Sequence, residues 1–220
     1  MKTLLTANAQ TAGAVLWHKE HWQGVRGGGW DVTSVDLEPK FEPDICCDVL
    51  DLTPEMIGEA PDLIWASPPC THYSVARTTA KTPRDLEGSD RLVQKVLDLR
   101  EHYGCHLFME NPYGLLMRRP VVNIPGLHMH LVDYCKYADE DHPHKGRKRT
   151  CIWTTTRWEP KRPLCRKDRG YTQDGRHLDV AQRGSNPRRG TPRYGLEELY
   201  AIPRGLPQEL CEYMNGLAGG

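Results

Sequence analysis

No apolar run in this 220-residue chain approaches the roughly 20 residues a bilayer span requires, so no membrane partner is expected. The start, "MKTLLTANAQTAGAVLWHKEHW", becomes charged too early for a secretory signal, which points to a cytoplasmic protein. None of the eight cysteines belongs to a CxxC pair, so a disulfide framework is not expected and the thiols are read as reduced. Internal repeats and low-complexity tracts are absent, and the net charge of zero favours no class of partner.

The chain does have a lopsided charge distribution. Between Lys145 and Arg193 lie 15 Lys and Arg against four acids, an excess of eleven positive charges that the remainder balances. That stretch also holds five Gly and four Pro, as suits a segment lying on phosphates.

Short apolar runs alternate with amphipathic ones in the first half, the order of a βαβ protein with a parallel sheet. "WDVTSVDLEP" reads as a strand ending in Asp36, and "DICCDVLDL" as a short strand or turn carrying Asp48. "APDLIWASPPC" is a third strand, its continuous apolar run typical of one covered on both faces. "SDRLVQKVLDLREHYG" places Leu92, Val96 and Leu99 on one helical face, with Ser89 as the expected cap and Gly104 as the stop. "CHLFMENP" is the next strand, and "HLVDYCKY" with "RTCIWTTTRW" reads as an antiparallel pair. Residues 158–192 show no convincing element, and the chain closes as two short helices around Pro203.

Ligands of an open parallel sheet bind at the carboxyl ends of its strands. Asp36, Asp48, Cys70 and Glu110 all fall at such ends, and both the Cys70 and the Glu110 motifs set a proline beside the reactive side chain. Prolines 68 and 69 fix φ near −65°, so a rigid exit aims the sulfur.

Four motifs in order, "SPPC" (67–70), "MENP" (109–112), "KGRKRTCIW" (145–153) and "RYGLEELYAIP" (193–203), resemble those of the DNA cytosine-C5 methyltransferases, especially compact phage forms. The resemblance implies a Rossmann-like α/β fold using S-adenosylmethionine (SAM), with a small basic appendage replacing a large target-recognition domain. It implies a catalytic core over 1–157, a recognition segment over 158–192 and completing helices over 193–220, in a bacterial or phage-infected cell. Cys70 would be the nucleophile that adds to cytosine C6, making C5 a carbon nucleophile. Glu110 would hold N3 and the amine, and Arg149 and Arg147 would contact O2 or phosphate. Asp36 and Asp48 would hold the nucleoside half of SAM, with Gly13 and Pro68 beside it. Pro69, Asn111, Pro112 and Lys145 would line the substrate side. The partner would be DNA, as a duplex with a flipped cytosine or as a single strand, with a further protein supplying specificity.

The chain departs from that family at "LLTANAQTAGAV" (4–15), which has Gly13 alone where a glycine-rich turn belongs. A modified SAM as donor therefore stays open, as does a catalytically inactive DNA-binding relative. An amino-methyltransferase, whose Pro-Pro tetrapeptide ends in an aromatic, is disfavoured by Cys70 and Glu110. RNA or a free nucleotide also remains open as substrate. Cys135, His142, His144, Cys151, Cys165 and His177 cluster in sequence without short paired spacing, so no metal is expected. Cys46, Cys47, Cys105 and Cys211 read as small packing groups, and Trp65 and Trp153 as core.

Overall fold

A computed structural model describes the backbone of residues 2–8 and residues 30–78, 80–142, 145–167, 172–177 and 194–217. Seven strands form one sheet: β1 (Lys2–Asn8), β2 (Trp30–Asp36), β3 (Ile45–Cys46), β4 (Leu63–Ala66), β5 (His106–Pro112), β6 (His128–Asp133) and β7 (Arg149–Thr154). Their order is β3-β2-β1-β4-β5-β7-β6, parallel throughout except that β7 runs antiparallel to both β5 and β6. This is the Rossmann-like α/β architecture, and the expected antiparallel pair forms its far edge. The chain leaves β1 on one side towards β2 and β3, then returns on the other side for β4. The strand order therefore reverses beside β1, which is where such sheets bind ligands.

Alternation along the strands builds two cores. Ile64, Ala66, Leu107, Met109, Cys151 and Trp153 face one side, packed with Leu92, Val93 and Val96 of helix α2 (Leu86–Tyr103). Leu63, Trp65, Phe108 and Ile152 face the other, packed with helix α4 (Gly205–Leu217). Among the described residues, the other α-helices, α1 (Pro54–Ile57) and α3 (Leu196–Tyr200), are short. Leu206, Leu210 and Met214 repeat every four residues on α4 and are all buried, each contributing about 1.5–3 kcal/mol. Both expected core tryptophans, Trp65 and Trp153, are buried.

The cap of α2 is Asp85 rather than Ser89: the Asp85 carboxylate accepts from the Gly88 N–H at 2.7 Å. Ser89 lies inside the first turn, its hydroxyl donating to the Asp85 carbonyl at 2.8 Å. Gly104 ends the helix at φ 61°, as expected.

The core runs past residue 157. Trp158 is buried and meets Phe108 edge to face at 5.8 Å, and the Cys165 N–H donates to Asp133 at 2.9 Å. Beyond it, β8 (Thr172–Gln173) and β9 (Arg176–His177) pair as a small hairpin inside the stretch expected to be irregular. All eight cysteines are free thiols, and Cys46, expected to pack, is exposed. Among the described residues no helix is long and apolar enough to cross a membrane.

Candidate active site

At the carboxyl end of β4 the chain passes through buried Ser67, Pro68 and Pro69 to half-buried Cys70. One turn of chain then closes on the Cys70 carbonyl, which accepts from the N–H groups of Tyr73 (3.0 Å) and Ser74 (2.8 Å). Tyr73 is the anchor of that turn. Its ring is fully buried and its hydroxyl donates to Asp90 of α2 at 2.8 Å, while Arg119 grips the other Asp90 oxygen at 2.6 and 2.9 Å. The Tyr73 carbonyl accepts from the Leu115 N–H at 2.9 Å. A Cβ on Gly114 would lie 2.6 Å from that carbonyl, so only glycine permits the approach.

The "MENP" strand joins this loop from the side. Asn111 is fully buried and its amide donates to the Pro68 carbonyl at 2.7 Å, linking β5 directly to the nucleophile loop. Its neighbour Glu110 points to the opposite face, where Oε1 accepts from the buried Tyr134 hydroxyl at 2.6 Å. Burial pushes the Glu110 carboxyl up, towards its protonated form, against the opposing pull of the Lys148 ammonium and the hydroxyls of Tyr134 and Ser67. Burial likewise pushes the Cys70 thiol up; Lys148 opposes this and Glu110 adds to it. Burial thus disfavours the charged form of both the thiol and the carboxyl, and one ammonium opposes it at both.

That ammonium belongs to Lys148, a residue the motif reading passed over in favour of its neighbours. Lys148 lies 4.9 Å from the centre of the Tyr134 ring and donates to the Leu199 carbonyl at 3.0 Å, so the late motif holds the cation in place. Arg149 is turned away. It sits directly opposite Asp133 across the β6–β7 ladder and grips that buried carboxylate at 3.1 and 2.9 Å. Successive residues of a strand project from opposite faces, so Lys148 shares the Glu110 face and Arg149 the other. Arg147 is exposed and Lys145 half-buried. Pro112 closes β5 opposite Thr150.

On the other side of β1, Asp36 ends β2, in register with Asn8 at the end of β1. It is buried, with one oxygen accepting from the Glu38 N–H at 2.8 Å, and burial raises its carboxyl to about 6. Asp48 is half-buried just beyond β3 and accepts from the Leu50 N–H at 2.9 Å. Gly13 and the expected first-motif turn lie outside the described residues, as does His144.

Tyr134, Ser67 and Tyr73 also escaped the sequence reading. Tyr73 and Ser67 do sit within a few residues of Cys70, a proximity that could have marked them.

No family model matches the chain. It is 28% identical over 204 residues to a protein of Frog virus 3 (isolate Goorha) described as a probable DNA (cytosine-5)-methyltransferase, a match covering 84% of this chain and 89% of that one. The motif resemblance and this alignment point to the same family. Among solved structures, S. pombe Dnmt2 methyltransferase matches with a TM-score of 0.43 at 14% identity, over 72% of this chain and 52% of that protein. A mutant of Spodoptera frugiperda DNMT2 matches with a TM-score of 0.42 at 15% identity, over 74% and 53%. The chain spans about half the length of those two proteins.

Proposed function

We propose that the chain transfers a methyl group from SAM to C5 of cytosine in DNA through a covalent bond between Cys70 Sγ and C6. The observation that carries this reading is the Asn111–Pro68 bond, which ties the nucleophile loop to the strand bearing the acid. Such chemistry needs a thiolate and a proton donor on one base, and both are borne by segments joined through a buried contact.

Glu110 supports the reading through its raised carboxyl. Cytosine N3 is an acceptor, so only the protonated acid donates to it, and that proton offsets the negative charge which addition at C6 drives onto the ring. The thiolate form of Cys70 gains its counter-charge from Lys148. The adduct resolves by loss of the C5 proton and expulsion of the Cys70 sulfur. Arg149, held by Asp133, would fix the strand next to Lys148, while exposed Arg147 and half-buried Lys145 would contact phosphate.

The residues at the β1 crossing suit a nucleoside. Asp36 would accept from ribose hydroxyls, and Asp48, one strand further out, from the adenine amine. SAM bound there would supply an electrophilic methyl group. The DNA would present its cytosine flipped from a duplex or in a single strand, against the basic 145–193 stretch, with a second protein supplying sequence specificity.

The test is nucleoside mass spectrometry of DNA from cells expressing the chain, beside cells expressing Cys70→Ala. Cytosine heavier by one methylene, absent with the variant, is the expected result. A different added mass keeps the mechanism and changes the donor, whereas unmodified cytosine removes the proposal for DNA.

A further inference from the structure

Three residues far apart in sequence converge at the edge of the sheet remote from β3. Cys135 lies in the single helical turn that follows β6, Cys165 in the irregular run after Trp158, and His177 at the end of β9. The two sulfurs and a ring nitrogen all lie within 4.8 Å of one another, with Cys165 Sγ 3.2 Å from His177 Nε2. Both cysteines are buried and the histidine is half-buried.

A second feature separates this cluster from ordinary packing. Lys167 adopts φ 65°, uncommon for a residue with a Cβ, and this turn aims its N–H at Cys165 Sγ at 3.3 Å. A neutral thiol is a weak acceptor and rewards such a turn little, but a metal-bound thiolate rewards it with a charge-assisted bond. The Cys165 backbone is pinned as well, its N–H held by Asp133, the carboxylate that also grips Arg149. Bonds of this kind orient the ligands of metal centres.

We infer that Cys135, Cys165 and His177 bind a zinc ion whose fourth position is filled by water. Tetrahedral zinc, at about 2.3 Å from sulfur and about 2.0 Å from nitrogen, wants ligand atoms roughly 3.5 to 3.8 Å apart, so a small side-chain rotation closes the set. Each thiol gives its proton to solvent as its sulfur–zinc bond forms. The ion clips the β8–β9 hairpin to the turn after β6 and thereby to the edge of the seven-stranded sheet. Metal content reads this independently of methyl transfer.

The test is elemental analysis of the full chain purified under reducing conditions, with cobalt(II) replacing zinc as a spectroscopic probe. One zinc per chain is expected, together with thiolate-to-cobalt absorption. Both should be lost in Cys165→Ser and in His177→Gln and kept in Cys105→Ser, whose thiol is buried elsewhere. His177→Gln alters a half-buried hairpin residue, so it serves if Cys165→Ser does not fold. Wild-type chain that stays zinc-free in zinc-supplemented buffer with its thiols intact would overturn the inference. A Cys135–Cys165 disulfide in the native protein, or zinc retained by both variants, would do the same.

Discussion

The two halves of the sheet's carboxyl edge are built differently. On the β4–β5–β7 side, the groups around Cys70 and Glu110 are joined across long stretches of sequence: Asn111 to Pro68, Tyr134 to Glu110, Lys148 to Leu199 and Tyr73 to Asp90. On the β2–β3 side, the Asp36 and Asp48 carboxylates accept from the backbone N–H groups of Glu38 and Leu50, each two residues on. The half assigned to the base is thus set by the whole fold, and the half assigned to the nucleoside by local turns. Covalent chemistry on a base needs sulfur, acid and cation in fixed relation, whereas two carboxylates can hold a flexible nucleoside with less support.

After loss of Cys70 itself, the largest effect comes from the cation on the long-range side. Lys148→Met should lower kcat for methyl transfer roughly 100-fold, the scale of losing one preorganised charge. It should also push the Cys70 thiol further up, because the ammonium favours the thiolate. The rate of Cys70 alkylation against pH checks this, and an unchanged profile would mean that Lys148 does not act on the sulfur.

Asn111→Ala should come next. It strands the buried Pro68 carbonyl, costing about 1–3 kcal/mol of stability in denaturant unfolding. Methyl transfer should fall while SAM affinity stays; an equal loss of both would erase the distinction between the halves.

The smallest effect belongs to the local side. SAM binding should weaken as pH falls through about 6, where Asp36 takes up its proton and ceases to accept from both ribose hydroxyls. The stability linkage has the opposite sense. Its folded value is raised, so the stabilisation from the bound proton is complete at low pH and is lost as pH rises through about 6. Asp36→Asn should therefore flatten the SAM-binding profile by calorimetry and be more stable than wild type at pH 8, with the gap closing towards pH 4.

Much of this edge was legible in the chain itself. A short mixed run ending at Asp36 and apolar runs ending at Ser-Pro-Pro-Cys and at Glu-Asn-Pro marked strands and their carboxyl ends, because strand burial and proline stiffness are local properties. Lys148 was hidden between two arginines, since the face a residue takes depends on pairing with β5 and β6 rather than on its own neighbours. Asp85 was passed over for Ser89 because the cap sits ahead of the apolar period that announces the helix. Cys135, Cys165 and His177 carry no short spacing, and only the path of the chain through Trp158 and the hairpin brings them together.

The bond from Lys148 to the Leu199 carbonyl also imposes an order of events on synthesis. A ribosome has already delivered Cys70, Glu110 and Lys148 while residues 196–217 are still to be made. Until α3 arrives, the ammonium lacks the carbonyl that positions it, and until α4 arrives one face of the sheet lacks Leu206, Leu210 and Met214. A nascent chain thus carries Cys70, Glu110 and Lys148 before it can hold them in this arrangement, and α3 and α4 complete it.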